Sequence, residues 1–329
     1  MTQFIPQVSR TSAPCTNQYL VAEPYDPTAE CQASQHPRAP LTSKVHVFHQ
    51  PFQISSAFGL DANLDERPYN IIIRSADGII FAVHLHRLRN ASNNGFAGLL
   101  LRSDLQPTHD SPLGLIVTEA HDVLNVVLHT IYGLSCDAYR PSTECLTASI
   151  DALTKYGILP LQRYLARNAS PLFRTFVHNA VTHPVEIYSL AAHHNLEDLA
   201  IAASAYTLTL SLHSISQPLA TQMGVFYLHR LHKLHSSLID NLRALVERRL
   251  NPHISKPYCT AEQRRRVSDA LYSAGMEVVF HATPAISSAD ISSVMSQVGD
   301  TTECPDCKEG VNTHIQLLTT TWMRFSRTI

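Results

Sequence analysis

Ordered hydrophobic patterning sets in at Tyr69. Residues 70–74 (NIIIR) and 79–84 (IIFAVH) are two short β-branched, apolar runs. Asp77-Gly78 lies between them and marks a hairpin turn, because both residue types tolerate positive φ. The three adjacent isoleucines predict a strand buried on both faces. A helical stretch over 85–101, interrupted near Asn93-Asn94-Gly95, sets Phe96, Leu99 and Leu100 at helical spacing. Residues 107–112 read as a loop and 113–117 (LGLIV) as a third short strand. Over 119–132, Val123, Leu124, Val127, Leu128 and Ile131 form one apolar stripe. Gly133 is placed to end that helix in a left-handed conformation. An amphipathic helix over 143–156 is stopped by Gly157, and a shorter one covers 160–168. This order predicts an α+β domain in which a small sheet is capped by helices.

From 171 onward the pattern is helical throughout. Pro184 suits a first helical turn, and a second helix begins at Glu197. A long helix over 222–250 carries Leu228, Leu231, Leu238, Leu242, Leu245 and Leu250 as its stripe, and Pro252 and Pro257 end it. Helices over 261–280, 289–298 and 313–326 follow, with Cys304-Pro305-Asp306-Cys307 as a separate segment before the last. Residues 1–44 are rich in Pro, Ser, Thr, Gln and Ala and read as a flexible tail. Val45, Val47, Phe48, Phe52 and Phe58 are candidates to anchor a short lead-in. The expected organisation is a mostly disordered tail over 1–66, an α+β domain over 67–169, an all-helical extension over 170–251 and a C-terminal helical region over 252–329.

A hydrophobic fraction of 44% supports a packed core, and a charged fraction of 16% argues against a charge-driven disordered chain. The formal net charge of -2 predicts no strong attraction to nucleic acid or to acidic membranes. No apolar run approaches the roughly 20 residues that span a bilayer, and residues 1–10 lack the apolar core of a secretory leader. The expected compartment is the cytoplasm or nucleus. Seven scattered cysteines fit reduced thiols better than a disulfide framework. With 11 glycines the chain has no phosphate-cradling loop, no G-x-S-x-G and no H-E-x-x-H. No enzyme activity is expected.

The segment Ser75-Ala76-Asp77-Gly78-Ile79-Ile80-Phe81-Ala82-Val83-His84 resembles the opening hairpin of BTB/POZ domains. The run 123–132 followed by Gly133 looks like the helix of that family that ends in an aromatic residue and glycine. Residues 185–203 (VEIYSLAAHHNLEDLAIAA) are similar to the helical region after the domain in fungal members, with Tyr188, Leu190, Ala191, Leu196, Glu197 and Ala200 at matching positions. The resemblance implies a fungal-type BTB/POZ-like fold and a protein–protein interaction role. It makes a substrate adaptor for a cullin-type ubiquitin ligase the narrower expectation, and a nuclear transcriptional or chromatin regulator acting through protein contacts the alternative. It also allows a homodimer. Against the homodimer stand Asn70, where members often carry an acidic interface residue, and Leu85, where they often carry lysine.

On this reading Val123, Val127, Leu134 and Asp137 are the protein-binding candidates. Asp77, Gly78, Phe81, His84, Tyr132 and Gly133 hold the hairpin and its helix, and His84 is expected to donate to a backbone carbonyl. Cys304 and Cys307 have the spacing of a zinc knuckle, with His253, Cys259, His281 and His314 as candidate further ligands. The alternative is a loop with two free thiols, and zinc is the one cofactor these residues suggest. His229, His232 and His235 allow a metal pair on one helix face, but read as polar surface. Arg248-Arg249 and Arg264-Arg265-Arg266 read as a solvated face, and no nucleic-acid or membrane partner is expected.

Overall fold

In a computed structural model, residues 53–101, 107–166 and 170–329 are described. The expected tail, with Val45, Val47, Phe48 and Phe52, lies outside the described residues up to position 52. Strand β1 (Ile71–Arg74) pairs antiparallel with β2 (Ile80–Val83), Ile71 opposite Val83. Ser75 closes the turn by donating its hydroxyl to Asp77 Oδ1 at 2.6 Å and accepting the Ile79 N–H at 2.9 Å. Gly78 sits at φ 91°, a region that glycine enters without a Cβ clash. Strand β3 (Leu113–Ile116) joins β1 in parallel, giving the order β2-β1-β3. The strand is not buried on both faces as its isoleucines suggested. Ile71 and Ile73 are fully buried, Ile72 half-buried and Arg74 exposed, so one pleat face carries the packing.

Helix α1 (Leu85–Ala91) ends well before residue 101. Gly95, Phe96, Ala97 and Gly98 all have positive φ, which no helix can continue through. The turn stacks Phe96 on Tyr156 with ring centroids 4.0 Å apart. Helix α2 (His121–Tyr132) is the central rod, buried from Val123 through Thr130. Helix α3 (Thr143–Lys155) is capped by Ser142, which accepts the Cys145 N–H at 3.1 Å. Helix α4 (Leu161–Tyr164) is a single turn, shorter than its pattern suggested.

Helices α5 (Pro171–Ala180), α6 (Pro184–His193) and α7 (Glu197–Ser204) follow, and α6 packs between its neighbours and the long α8 (Gln217–Val246). A non-helical Gly224 at φ 70° interrupts α8 near its start. Helices α9 (Ala261–His281), α10 (Ser288–Asp300) and α11 (Pro305–Trp322) complete the chain. Helix α11 begins eight positions before the expected 313, because Pro305 fits the first helical turn. The Cys-x-x-Cys segment is therefore the start of that helix, with Cys304 as its N-cap.

Two hydrophobic clusters fill the interior. The first runs from Phe58 through the sheet and α2–α7 to Leu231, with no break near residue 170. The second joins Leu234, Leu238, Leu242 and Leu245 of α8 to Leu271, Val278, Ile291, Met295 and Trp322. Helix α8 thus contributes to both clusters, Leu231 to the first and Leu234, Leu238, Leu242 and Leu245 to the second. Residues 53–66 also depart from the tail assigned to them. Ile54 bridges to Ile80, and Phe58 is fully buried against Phe81, His129 and Tyr132.

Candidate functional site

The end of α2 presents the exposed surface of the first core. Gly133 takes φ 68°, and the Leu134 N–H reaches back to the His129 carbonyl at 2.8 Å. This left-handed ending satisfies a terminal carbonyl and turns Leu134 outward, 38% exposed. Tyr139, 46% exposed, meets His129 edge-on with centroids 5.2 Å apart. Asp137 accepts the Thr175 hydroxyl, which ties the loop to α5. A cleft of about 490 Å³ opens beside Leu134 and is lined by Arg87, Tyr132, Arg163, Tyr164 and Leu172.

Of the four protein-binding candidates, Leu134 and Asp137 lie on this surface. Val123 and Val127 do not, because both are buried in the core. The helical stripe that marked them is buried, α2 packs chiefly against α3 and α1, and the opposite face of α2 is covered too. Sequence reasoning did not single out Tyr139, Arg163, Tyr164 or Leu172; an exposed tyrosine in a short polar loop was the available signal for the first.

The structural candidates act at both ends of α2, Asp77 at its start and His84 with Tyr132 at its end. Asp77 Oδ1 accepts the His121 N–H at 3.1 Å and Asp77 Oδ2 lies 2.5 Å from His121 Nδ1, so the hairpin turn holds the start of α2. Desolvation opposes ionisation of Asp77, but hydrogen bonds from Ser75 and His121 outweigh it and bring its carboxyl down to about 2. Phe81 is buried beside Phe58. His84 Nε2 donates to the Arg67 carbonyl at 2.8 Å, as expected. Burial lowers its basicity and keeps the ring neutral. At the expected interface position, Asn70 turns inward, with Oδ1 accepting the Leu85 N–H at 2.9 Å and Nδ2 donating to the Pro107 carbonyl at 3.3 Å.

A second group of side chains gathers at the start of α11. Cys304 and Cys307 are joined there by His253, from the segment after α8, and Cys259, immediately before α9. Their ligating atoms all lie within 4.8 Å of one another. His281 and His314 are not part of this group. Desolvation opposes ionisation of the Cys304 thiol, but the Cys307 and Asp306 N–H groups and neighbouring thiols bring it down to about 7. Burial pushes the Cys307 thiol up to about 12.

The remaining candidates are absorbed structurally. His229 and His232 are exposed, whereas His235 is buried with Nε2 3.3 Å from the Thr207 hydroxyl, so the three share no site. Arg249 pairs with Asp269 at 2.8 Å over the Tyr272 ring, Arg266 pairs with Glu262 at 3.1 Å, and Arg264 donates to the Cys259 carbonyl at 2.9 Å. Among the described residues no helix is long and apolar enough to cross a membrane. No family model matches the sequence, and no curated protein and no solved structure matches the chain.

Proposed function

We propose that residues 67–169 are a BTB/POZ-like domain and that the chain is a non-catalytic adaptor that brings proteins together. The observation that carries this reading is the strand order β2-β1-β3, a tight hairpin whose first strand receives a parallel third strand, followed directly by the central helix α2 and its left-handed glycine ending. The exposed Leu134 at a polar-rimmed cleft, with the exposed Tyr139 against His129, adds an apolar anchor of the kind that dominates protein interfaces. The narrower form of the reading is recruitment of a cullin scaffold through Leu134 and Asp137, with the later helices holding a substrate.

The test is affinity enrichment of the full chain, tagged and expressed at near-endogenous level, beside its Leu134→Glu variant. Recovery of a cullin with the parent and its loss with the variant supports the narrower reading. Absence of any cullin, or equal recovery with both, overturns it.

A further inference from the structure

We propose that His253, Cys259, Cys304 and Cys307 bind one structural zinc ion that fastens the segment between α8 and α9 to the start of α11. For a tetrahedral ion with Zn–S near 2.3 Å and Zn–N near 2.0–2.1 Å, ligand atoms stand about 3.8 Å apart for two sulfurs and about 3.6 Å for sulfur and nitrogen. Here Cys259 Sγ and Cys307 Sγ are 3.7 Å apart, and His253 Nε2 is 3.5 Å from Cys304 Sγ and 3.3 Å from Cys307 Sγ. These three distances match edges of a coordination tetrahedron, and all four ligand atoms lie within 4.8 Å of one another. A disulfide would bring two sulfurs to about 2.05 Å.

The surroundings suit the ion. His253 Nδ1 donates to the Ile254 carbonyl at 2.7 Å, which fixes the tautomer and leaves the Nε2 lone pair facing the sulfurs. Cys304 is the N-cap of an 18-residue helix, whose end favours a thiolate there, and Cys307 lies in the first turn of the same helix. Cys259 and Cys307 are almost wholly buried, while Cys304 and His253 are part-exposed and leave an entry path. Lys256 and Tyr258 both bind Asp306, at 2.9 and 2.5 Å, and so hold the two ligand-bearing segments together beside the sulfurs. Four protein ligands close the coordination shell, which marks a structural rather than a catalytic ion. Three thiolates with one imidazole favour zinc over harder cations.

The ion would act on the second core. His253 and Cys259 lie in the segment between α8 and α9, and Cys304 and Cys307 open α11, so one ion ties that segment to the start of α11 beside the core those helices share.

The experiment is metal analysis of the full chain purified without chelator, with a parallel cobalt(II) titration of chelator-stripped protein. The expected results are one zinc per chain and a cobalt spectrum with thiolate charge-transfer and tetrahedral d–d bands. Cys304→Ser/Cys307→Ser is expected to lose the zinc, and Cys136→Ser/Cys145→Ser, in the other core, to keep it. Zinc far below one per chain with no tetrahedral cobalt spectrum overturns the proposal. So does zinc retained by Cys304→Ser/Cys307→Ser. If that variant fails to fold, the cobalt spectrum of the unaltered chain decides alone.

Discussion

The Tyr132 hydroxyl lies 2.7 Å from His84 Nδ1 and accepts the His84 backbone N–H at 3.0 Å, so one phenol locks the end of β2 to the end of α2. Burial raises the Tyr132 hydroxyl well above its ordinary value, so it stays a neutral donor. Tyr132→Phe keeps the ring against Phe58 but leaves a ring nitrogen and a backbone N–H without their partner. Stranding buried polar groups in this way costs about 1–3 kcal/mol. The expected outcome is a lower urea midpoint at unchanged slope, read by circular dichroism. An unchanged midpoint would show that the brace contributes nothing.

Acid should act on the first core through its histidines. Burial lowers both His84 and His129 from the ordinary 6.5, outweighing their hydrogen bonds to the Arg67 and Asn125 carbonyls. Their unfolded counterparts take up protons first as pH falls, so stability is full above about 6.5 and declines below it. Carbon-13 histidine NMR of the full chain, assigned with His84→Gln and His129→Gln, is expected to show both rings titrating below 6.5. A midpoint at or above that value for either ring would refute the claim for that residue.

Leu134 and Leu124 separate surface from core. Leu124→Ala removes a fully buried side chain of α2 and is expected to cost about 2–5 kcal/mol. Leu134→Glu alters an exposed position and is expected to change stability by less than about 0.5 kcal/mol. Thermal melts of the two variants side by side check this. A large loss from Leu134→Glu would mean that the residue supports the fold, and the docking surface would lose its anchor.

The close approach of α9 to α8 rests on a missing side chain. A Cβ on Gly275 would lie 2.5 Å from Val246 Cγ1, too near unless the valine or the helices shift. Gly275→Ala is expected to destabilise by about 1–3 kcal/mol through overpacking. Val246→Ala in the same chain should recover part of that loss, because it removes the opposing methyl groups. A double-mutant cycle by chemical denaturation measures the coupling, and strict additivity would rule the contact out as the cause.

Much of the fold was legible because its signals are local. Asp77-Gly78 fixed the hairpin, Gly133 the end of α2, and the leucine stripe the long α8. The binding role given to Val123 and Val127 went astray because periodicity reveals an apolar face without telling whether the opposite face is also covered. On α2 it is. Thr130 and His129 are buried there because each returns a hydrogen bond to its own helix, to the Val126 and Asn125 carbonyls. The Cys-x-x-Cys pair was legible, but its companions were not decided by spacing. His253 and Cys259 reach it only because α9 and α10 fold back and return the chain to the foot of α8. Residues 53–58 were obscured by their polar neighbours; the buried Phe58 and backbone hydrogen bonds to β2 tie them to the core.

Helix α8 gives Leu231 to one interior and Leu238, Leu242 and Leu245 to the other. Scissors placed anywhere along it leave neither piece whole. A recombinant fragment stopped at 251 would carry a naked greasy ridge and clump, while one begun at 252 would lack the beam against which α9 and α11 lean. Neither piece is a natural unit for expression, because α8 belongs to both interiors.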